Sequence, residues 1–468
     1  MKLTLQEIYD NPDYRFLYSG PTEALQMVIA GISIDSREIQ PGELYFAIKG
    51  EHHDGHKFLR EIFNKQAIAA VVEKKWRQKH PKDLAGKALL AVEDTLTALQ
   101  QAAHAYRKKF AIPILGLTGT NGKTTTKEMI AAVLSRSGNV CKTEGNFNNH
   151  IGVPLTLFQL RASHQSLVLE MGTNHFGEIR QLCEIAAPTC GLITNIGHGH
   201  LEFLQSLEGV ARAKIELFEY LQPEGLAFIN LDDALITKQV PKLRRCVTYG
   251  FKDEADISAQ KLSLDDPQTI GMRVENQTIV LNMPGEHNLS NALAAVAVGL
   301  EFGVDMPDIK QALENVQLPS KRMQIIRKEK MLILNDSYNA NPDSTLAALS
   351  ILKNTPVAGK KIFVFGDMLE LGQQSKTEHT RIGAALNDFG VAVFLAFGPE
   401  TAAAVDSARR KTPVITAEHF TDKAELVSFL KTHLDKGDLV LVKGSRGMKM
   451  EEVIQALLQE ERDDQIHG

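Results

Sequence analysis

The stretch ILGLTGTNGKTTTKEMI, residues 114–130, decides the fold of the chain around it. Its opening residues form a short apolar run of the buried-strand type. TGTNGKTT then turns the backbone, and a helix is expected from about Lys123. Glycines at 119 and 122 permit the dihedrals and close approach by which successive N–H groups converge on an anion, and the helix N-terminus adds its partial positive charge. Lys123 is spaced to reach β- and γ-phosphates, and Thr124 offers a hydroxyl to magnesium. The strict GxxxxGK[ST] pattern would require glycine where Leu117 stands, so the match is to a TGTNGKTT variant. Gly119, Thr120, Asn121, Gly122, Lys123, Thr124 and Thr125 are therefore the expected nucleotide-phosphate loop.

Outward from this stretch the chain divides into three blocks: 1–93, 94–317 and 318–468. The first mixes short strands (LYFAIKG, AIAAVVE) with a helical stretch near Phe58 to Lys65. In the second, TLTALQQAAHAYRKKF carries apolar residues at helical spacing into the phosphate loop. SLVLEM, CGLITNIG and GLAFIN then read as buried parallel strands, followed by a more β-like insert (Asp256 to Met283) and two helices. The third begins near Leu318-Pro319-Ser320 and alternates again through KKIFVFGDM, VAVFLAFG, PVITA and DLVLVKGS, implying a second doubly wound α/β sheet. The tail QEERDDQIHG reads as frayed surface. The fold class expected is α/β in three domains: an N-terminal substrate domain, a central P-loop-type parallel sheet and a C-terminal Rossmann-like domain.

Composition bounds the function. The 468 residues are 43% apolar and 23% charged, with a formal net charge of -5, so a basic nucleic-acid footprint is not expected. No apolar run approaches the roughly 20 residues that span a bilayer, and MKLTLQEIYD lacks the apolar core of a signal peptide; the expectation is a cytoplasmic protein. Cys141, Cys183, Cys190 and Cys246 lack zinc-ligand spacing and read as buried thiols of a reducing compartment. His52, His53 and His56 have no acidic or cysteine partner at fixed spacing, which disfavours a metal site there.

Magnesium needs more oxygen than one threonine. SLVLEMG ends a strand on Glu170, where phosphate-binding folds place a second metal ligand. LITNIGHGHLEF puts His198 and His200 beyond the next strand, on the expected sheet edge. GVARAKIELFEYL is an amphipathic helix on which periodicity alone reads Lys214 as solvated surface.

These motifs, in this order, resemble the ATP-dependent Mur ligases of bacterial peptidoglycan synthesis: TGTNGKTT, LEMG, GHLE and AKxELF, then GEHNLSNALAA, NDSYNANPDS, FGDMLELG and LVKGSRGMKMEEV. The wording is most similar to the branch that adds D-alanyl-D-alanine to a UDP-N-acetylmuramoyl tripeptide. The resemblance spans nearly the whole chain and implies ATP and two magnesium ions, in a monomeric cytoplasmic enzyme. It implies that Thr124 and Glu170 hold one ion. His200 would hold the other, together with Lys214, which would be carbamylated and so become an oxygen donor. Lys123, His200 and Lys214 are then the catalytic candidates. Asn288 and Asn291 match the nucleotide-base region, and Arg322 and Asp336 match contacts from the third domain to phosphates and ribose.

For the UDP-sugar peptide, SIDSREIQPGELYFAIKGEHHDGHKF resembles the uridine-diphosphate segment, with Ser36, Arg37, Lys49, Gly50 and Asp54 as candidates. Asn146, Asn148 and Asn149 are either hydrogen-bonding loop residues near the sugar-peptide or turn formers. Tyr338, Asn339, Asn341, Ser445 and Arg446 are candidates for the dipeptide side. Three readings compete with this one: a sibling ligase adding another amino acid or polyglutamate, a regulatory P-loop NTPase, and a UDP-sugar-binding module. An NTPase would leave the third block unexplained, and a binding module would not need Lys123, Thr124 and Glu170 together.

Overall fold

The computed structural model describes residues 3–11, 15–221, 223–239, 244–317, 319–328, 331–411 and 415–459. Three sheets follow one another along the chain. The first has five strands in the spatial order Leu17–Ser19, Leu89–Val92, Ala69–Glu73, Leu44–Phe46, Ile32–Ser33; all neighbours are parallel except the first pair. The last has six: Gln324–Lys328, Met331–Asp336, Asp438–Lys443, Lys361–Gly366, Val393–Phe397 and Thr416–Phe420. Only its first pair is antiparallel. The protein is a three-domain α/β fold with mixed, mainly parallel sheets.

The central sheet has nine strands and is organised about Ile114–Thr118. On one side lie His164–Glu170 and then Asn139–Lys142; on the other lie Cys190–Ile193, Leu226–Asn230, Cys246–Gly250 and Ile257–Leu262, all parallel. The insert continues this sheet with Ile270–Val274 and Gln277–Leu281, paired antiparallel. Because strand side chains alternate, Leu115 and Leu117 join the core under the helices Lys123–Leu134 and His287–Glu301, whereas Ile114 joins the core under Thr95–Arg107 and Leu207–Leu221. The chain leaves Ile114–Thr118 toward one sheet edge and returns to its other side at Cys190–Ile193. The carboxyl ends of these strands are thus a topological switch point, where such sheets bind ligands.

Three details differ from the sequence reading. Cys141, Cys183 and Cys190 are buried thiols, but Cys246 is exposed, since it opens a strand whose burial begins only toward its far end. The strand expected at PVITA lies slightly later, at Thr416–Phe420, with 412–414 outside the described residues. Lys214 is not solvated surface: it is 1% exposed, because the helix Leu207–Leu221 turns this face inward against the sheet, on the face opposite the helix Lys123–Leu134. The tail from 460 onward and Leu318 of the interdomain link lie outside the described residues. Among the described residues no helix is long and apolar enough to cross a membrane.

The third domain contains a close helix crossing that a small residue permits. A Cβ on Gly383, in the helix Ser375–Ala385, would lie 2.7 Å from the carbonyl carbon of Ala404 in the facing helix Ala402–Lys411. Gly383→Ala is expected to destabilise this domain by roughly 1–3 kcal/mol through forced separation of the two backbones. Urea unfolding followed by hydrogen exchange in these two helices checks it, and unchanged protection there would contradict the packing.

Candidate active site

The phosphate loop is shaped by backbone geometry and by its neighbour strand. Gly119 and Gly122 have φ of +148° and +79°, and the helix begins at Lys123 directly after Gly122. The loop is tied to the end of Cys190–Ile193. Asn121 N–H donates to Asn195 Oδ1 at 3.0 Å, and its carbonyl accepts from Thr194 Oγ1 at 2.6 Å and Asn195 Nδ2 at 2.9 Å. Lys123 Nζ donates to the carbonyls of Gly119 and Thr120 at 2.7 and 3.1 Å. Burial pulls its pKa down, Glu170 opposes that shift and Arg322 adds to it.

Three chain segments meet at Thr124. Its Oγ1 donates to Glu170 Oε2 at 2.8 Å and accepts from Arg322 Nη2 at 2.8 Å, while Asn148 Nδ2 donates to Glu170 Oε1 at 2.9 Å. Glu170 is 2% exposed. A buried carboxylate beside a hydroxyl, both on the wall of the cleft at the expected phosphate loop, suits magnesium, which keeps waters and takes its remaining oxygens from phosphates. Among the described residues no group of three or more His, Cys, Asp and Glu side chains forms a protein-only metal cage. Lys214 makes no hydrogen bond or ion pair to a described residue, and burial first, then the charge of Lys123, push its pKa well down. A buried neutral amine is the form that can take up carbon dioxide to become a carbamate. His200 has φ +55° and its Nδ1 lies 2.6 Å from Glu370 Oε2.

The third domain closes the site. Arg322 stacks its guanidinium over the Tyr338 ring at 4.1 Å and stands between Lys321 and Met323, both at positive φ. Asp336 holds this turn: its Oδ1 accepts from Met323 N–H at 3.1 Å, and its other oxygen pairs with buried Lys443. Asn341 caps the helix Pro342–Asn354 and donates to Asn121 Oδ1 at 2.8 Å, linking the third domain to the phosphate loop. Ser445 Oγ accepts from Leu369 N–H at 2.8 Å, and Arg446 N–H donates to Asn339 Oδ1 at 3.3 Å.

Most of the expected residues therefore converge on one cleft of about 860 Å³, lined by Thr120 to Thr125, Asn146, Asn148, Asn149, Glu170, His200, Asn288, Asn291, Arg322, Asp336, Tyr338, Asn339, Asn341, Ser445 and Arg446. Gly119 and Lys214 do not line it. Asn288 and Asn291 are joined side chain to side chain at 3.0 Å, and Thr126 Oγ1 donates to Asn291 at 3.0 Å, so the two central helices are locked behind the loop. Ser36, Arg37, Lys49, Gly50 and Asp54 lie on the first sheet domain and not in this cleft. Arg37 pairs with Asp35, Ser36 is buried against Glu61 and Lys65, Lys49 meets Asp54 in an isolated backbone β-bridge, and Asp54 caps the turn Gly55–Phe58. His56 is structural: Asp54 holds its Nδ1 at 2.7 Å, and its Nε2 accepts from Glu73 N–H at 3.0 Å.

Asp343 and Glu370 are among the site residues that escaped the sequence reading. Asp343 accepts from His198 N–H at 2.7 Å and contacts its Nδ1 at 3.0 Å, and Glu370 meets His200. Both stand in motifs already quoted, NDSYNANPDS and FGDMLELG, but their partners are 145 and 170 positions away.

The loop also makes a specific prediction. A Cβ at Gly122 would collide with Asn291 Oδ1, and its positive φ would be strained by any side chain. Gly122→Ala is expected to weaken binding of an ATP analogue by at least tenfold, about 1.4 kcal/mol or more, with the circular dichroism spectrum preserved. Calorimetric titration measures it; wild-type affinity would separate the loop from the nucleotide.

Known proteins resemble this chain over almost its full length. Residues 28–107 match the model described as Mur ligase family, catalytic domain, residues 117–299 the Mur ligase middle domain, and residues 321–446 the Mur ligase, glutamate ligase domain. The UDP-N-acetylmuramoyl-tripeptide–D-alanyl-D-alanine ligase of Bacillus subtilis is 37% identical over 436 residues, 93% of this chain and 94% of that one. The Escherichia coli enzyme of the same name is 34% identical over 468 residues, 98% of each. A crystal structure of MurF from Acinetobacter baumannii superposes with a TM-score of 0.87 at 33% identity, covering 98% of this chain and 99% of that one. MurF from Thermotoga maritima in complex with ADP superposes with a TM-score of 0.78 at 28% identity, covering 92% and 98%. Matched over residues 28–107, 117–299 and 321–446, and 34–37% identical to these named enzymes over nearly its full length, the protein belongs to the Mur ligase family.

Proposed function

We propose that this chain is an ATP-dependent, ADP-forming amide ligase that joins D-alanyl-D-alanine to UDP-N-acetylmuramoyl tripeptide in peptidoglycan precursor synthesis. The observation that carries the reading is the junction at Thr124, where the phosphate-loop helix, Glu170 and Arg322 of the third domain meet within hydrogen-bond distance. The family's named relatives carry this activity along the same full length.

The chemistry explains why those groups are needed. A carboxylate and an amine do not condense in water, so the tripeptide carboxylate first attacks the γ-phosphorus of ATP, giving an acyl phosphate and ADP. The amine of D-alanyl-D-alanine then attacks the acyl carbon; the C–N bond forms, phosphate leaves with the C–O electron pair, and the amine loses a proton. Lys123 and Arg322 face the charge that gathers on the transferring phosphoryl, and preorganised cations there stabilise the transition state. Thr124 and Glu170 would hold one magnesium, and His200 with a carbamylated Lys214 a second; bound there, the ions would neutralise phosphate charge. Docking of the third domain keeps water from the acyl phosphate. In this reading 1–93 holds the UDP-sugar through Ser36, Arg37, Lys49, Gly50 and Asp54, 94–317 holds ATP, and 318–468 closes over it and receives the dipeptide near Tyr338, Asn339, Asn341, Ser445 and Arg446. Asn146, Asn148 and Asn149 face the sugar-peptide. A single chain in the bacterial cytoplasm carries every group named.

Phosphate release tests the whole reading. Release is expected only with ATP, UDP-N-acetylmuramoyl tripeptide and D-alanyl-D-alanine together, with a one-to-one amide product by mass spectrometry. Lys123→Ala should lower kcat about 10²–10³-fold, some 3–4 kcal/mol, while the fold is kept. Phosphate release independent of the dipeptide would point instead to a hydrolase.

Lys214→Ala is expected to be inactive yet partly restored by millimolar short-chain carboxylates, which return the missing oxygen donor. Lys214 is buried without a partner among the described residues, and an unmodified ammonium there would repel a cation. Full activity of the alanine variant without added carboxylate would rule the modification out.

A further inference from the structure

The loop that carries His200 is gripped by the third domain. Glu202 N–H donates to the carbonyl of Glu370 at 3.0 Å, Gln374 Nε2 donates to the carbonyl of Gln205 at 3.4 Å, and the Glu370 carboxylate meets His200 Nδ1 at 2.6 Å. On the other flank, Asp343 holds the backbone and ring of His198. His200 and Glu370 face each other with φ of +55° and +62°, a region that residues with a β-carbon seldom enter and that clusters at functional sites. An ionised carboxylate can only accept, so the proton of a neutral His200 ring sits on Nδ1, and the lone pair of Nε2 is left for another ligand. Nε2 makes no hydrogen bond to a described residue, and His200 lines the same cleft as Thr124 and Glu170.

We propose that Glu370 is a positioning residue: by holding His200 Nδ1 it sets the tautomer and ring orientation needed for cation binding, so that the central domain's second cation subsite is completed only when the third domain is docked. This rests on the reading of His200 as a metal ligand. The physical basis is the hydrogen-bond acceptor, a carboxylate, carbonyl or water, that metal-binding histidines almost always carry on the other ring nitrogen to fix their tautomer and raise their basicity. Here that partner comes from a different domain, 170 positions along the chain. Domain docking and cation binding are then two views of one equilibrium, and each favours the other.

The test uses the full-length protein saturated with ADP and titrated with Mn2+, with bound ion counted by electron paramagnetic resonance. Selectively 15N-labelled histidine reports the His200 ring, its signals assigned by their loss in His200→Ala. Expected is a weakening of one class of Mn2+ site by about 10–100-fold in Glu370→Ala, a smaller loss in Glu370→Gln, which keeps an acceptor, and a shift of the His200 nitrogens toward a mixed tautomer in the alanine variant. If His200→Ala weakens Mn2+ binding but Glu370→Ala does not, the positioning role is wrong while the ligand reading stands. If His200→Ala itself binds Mn2+ like wild type, the ligand reading fails and the proposal with it. Weakened binding with an unchanged His200 spectrum would also overturn it, because Glu370 would then act by another route.

Discussion

The hydroxyl of Thr124, donating to Glu170 and accepting from Arg322, joins the central domain to the third. A loop of converging N–H groups binds an anion but cannot by itself direct chemistry at its far end. That takes opposite charge on several sides of the transferring group, and no single α/β sheet presents side chains on all sides of its own carboxyl edge. The architecture follows from this. The central sheet supplies the loop, its lysine and a buried carboxylate from adjacent strands, and a second sheet, joined through a short link, supplies the opposing arginine.

Burial sets the character of each charged group. Glu170 is held inside the wall by two hydrogen bonds, from Asn148 and Thr124. Lys443 sits buried against Asp336, and the pair is spent on holding the turn that presents Arg322. Lys214 has no such partner among the described residues, and its desolvation favours the neutral amine. The same apolar surroundings thus give a carboxylate with hydrogen-bond support, a paired ammonium and an unpaired amine, each suited to a different task.

The interface between central and third domains is polar at the points that matter. Asn121 with Asn341, His198 with Asp343 and His200 with Glu370 are hydrogen-bonded contacts. Such contacts cost little to break when both partners regain water.

Local sequence determined a great deal here. The strand, turn and helix of residues 114–130, the glycines at 119 and 122, the strand ending on Glu170 and the alternation behind three sheets are short-range patterns, because strand and helix periodicities and turn dihedrals are properties of consecutive residues. The motif order carried the family, and with it most of the cleft wall. What only the tertiary structure decided involves partners far apart in the chain. Helical periodicity left Lys214 on the surface, yet packing against the sheet buried it. Glu370 and Asp343 were letters in a motif until folding set them on His200 and His198. Cys246 read as one more buried thiol until the strand register left it in water. Those outcomes depend on which faces meet across a sheet or a domain boundary, and such meetings are settled by the summed burial and hydrogen bonding of whole domains, which no single stretch of sequence contains.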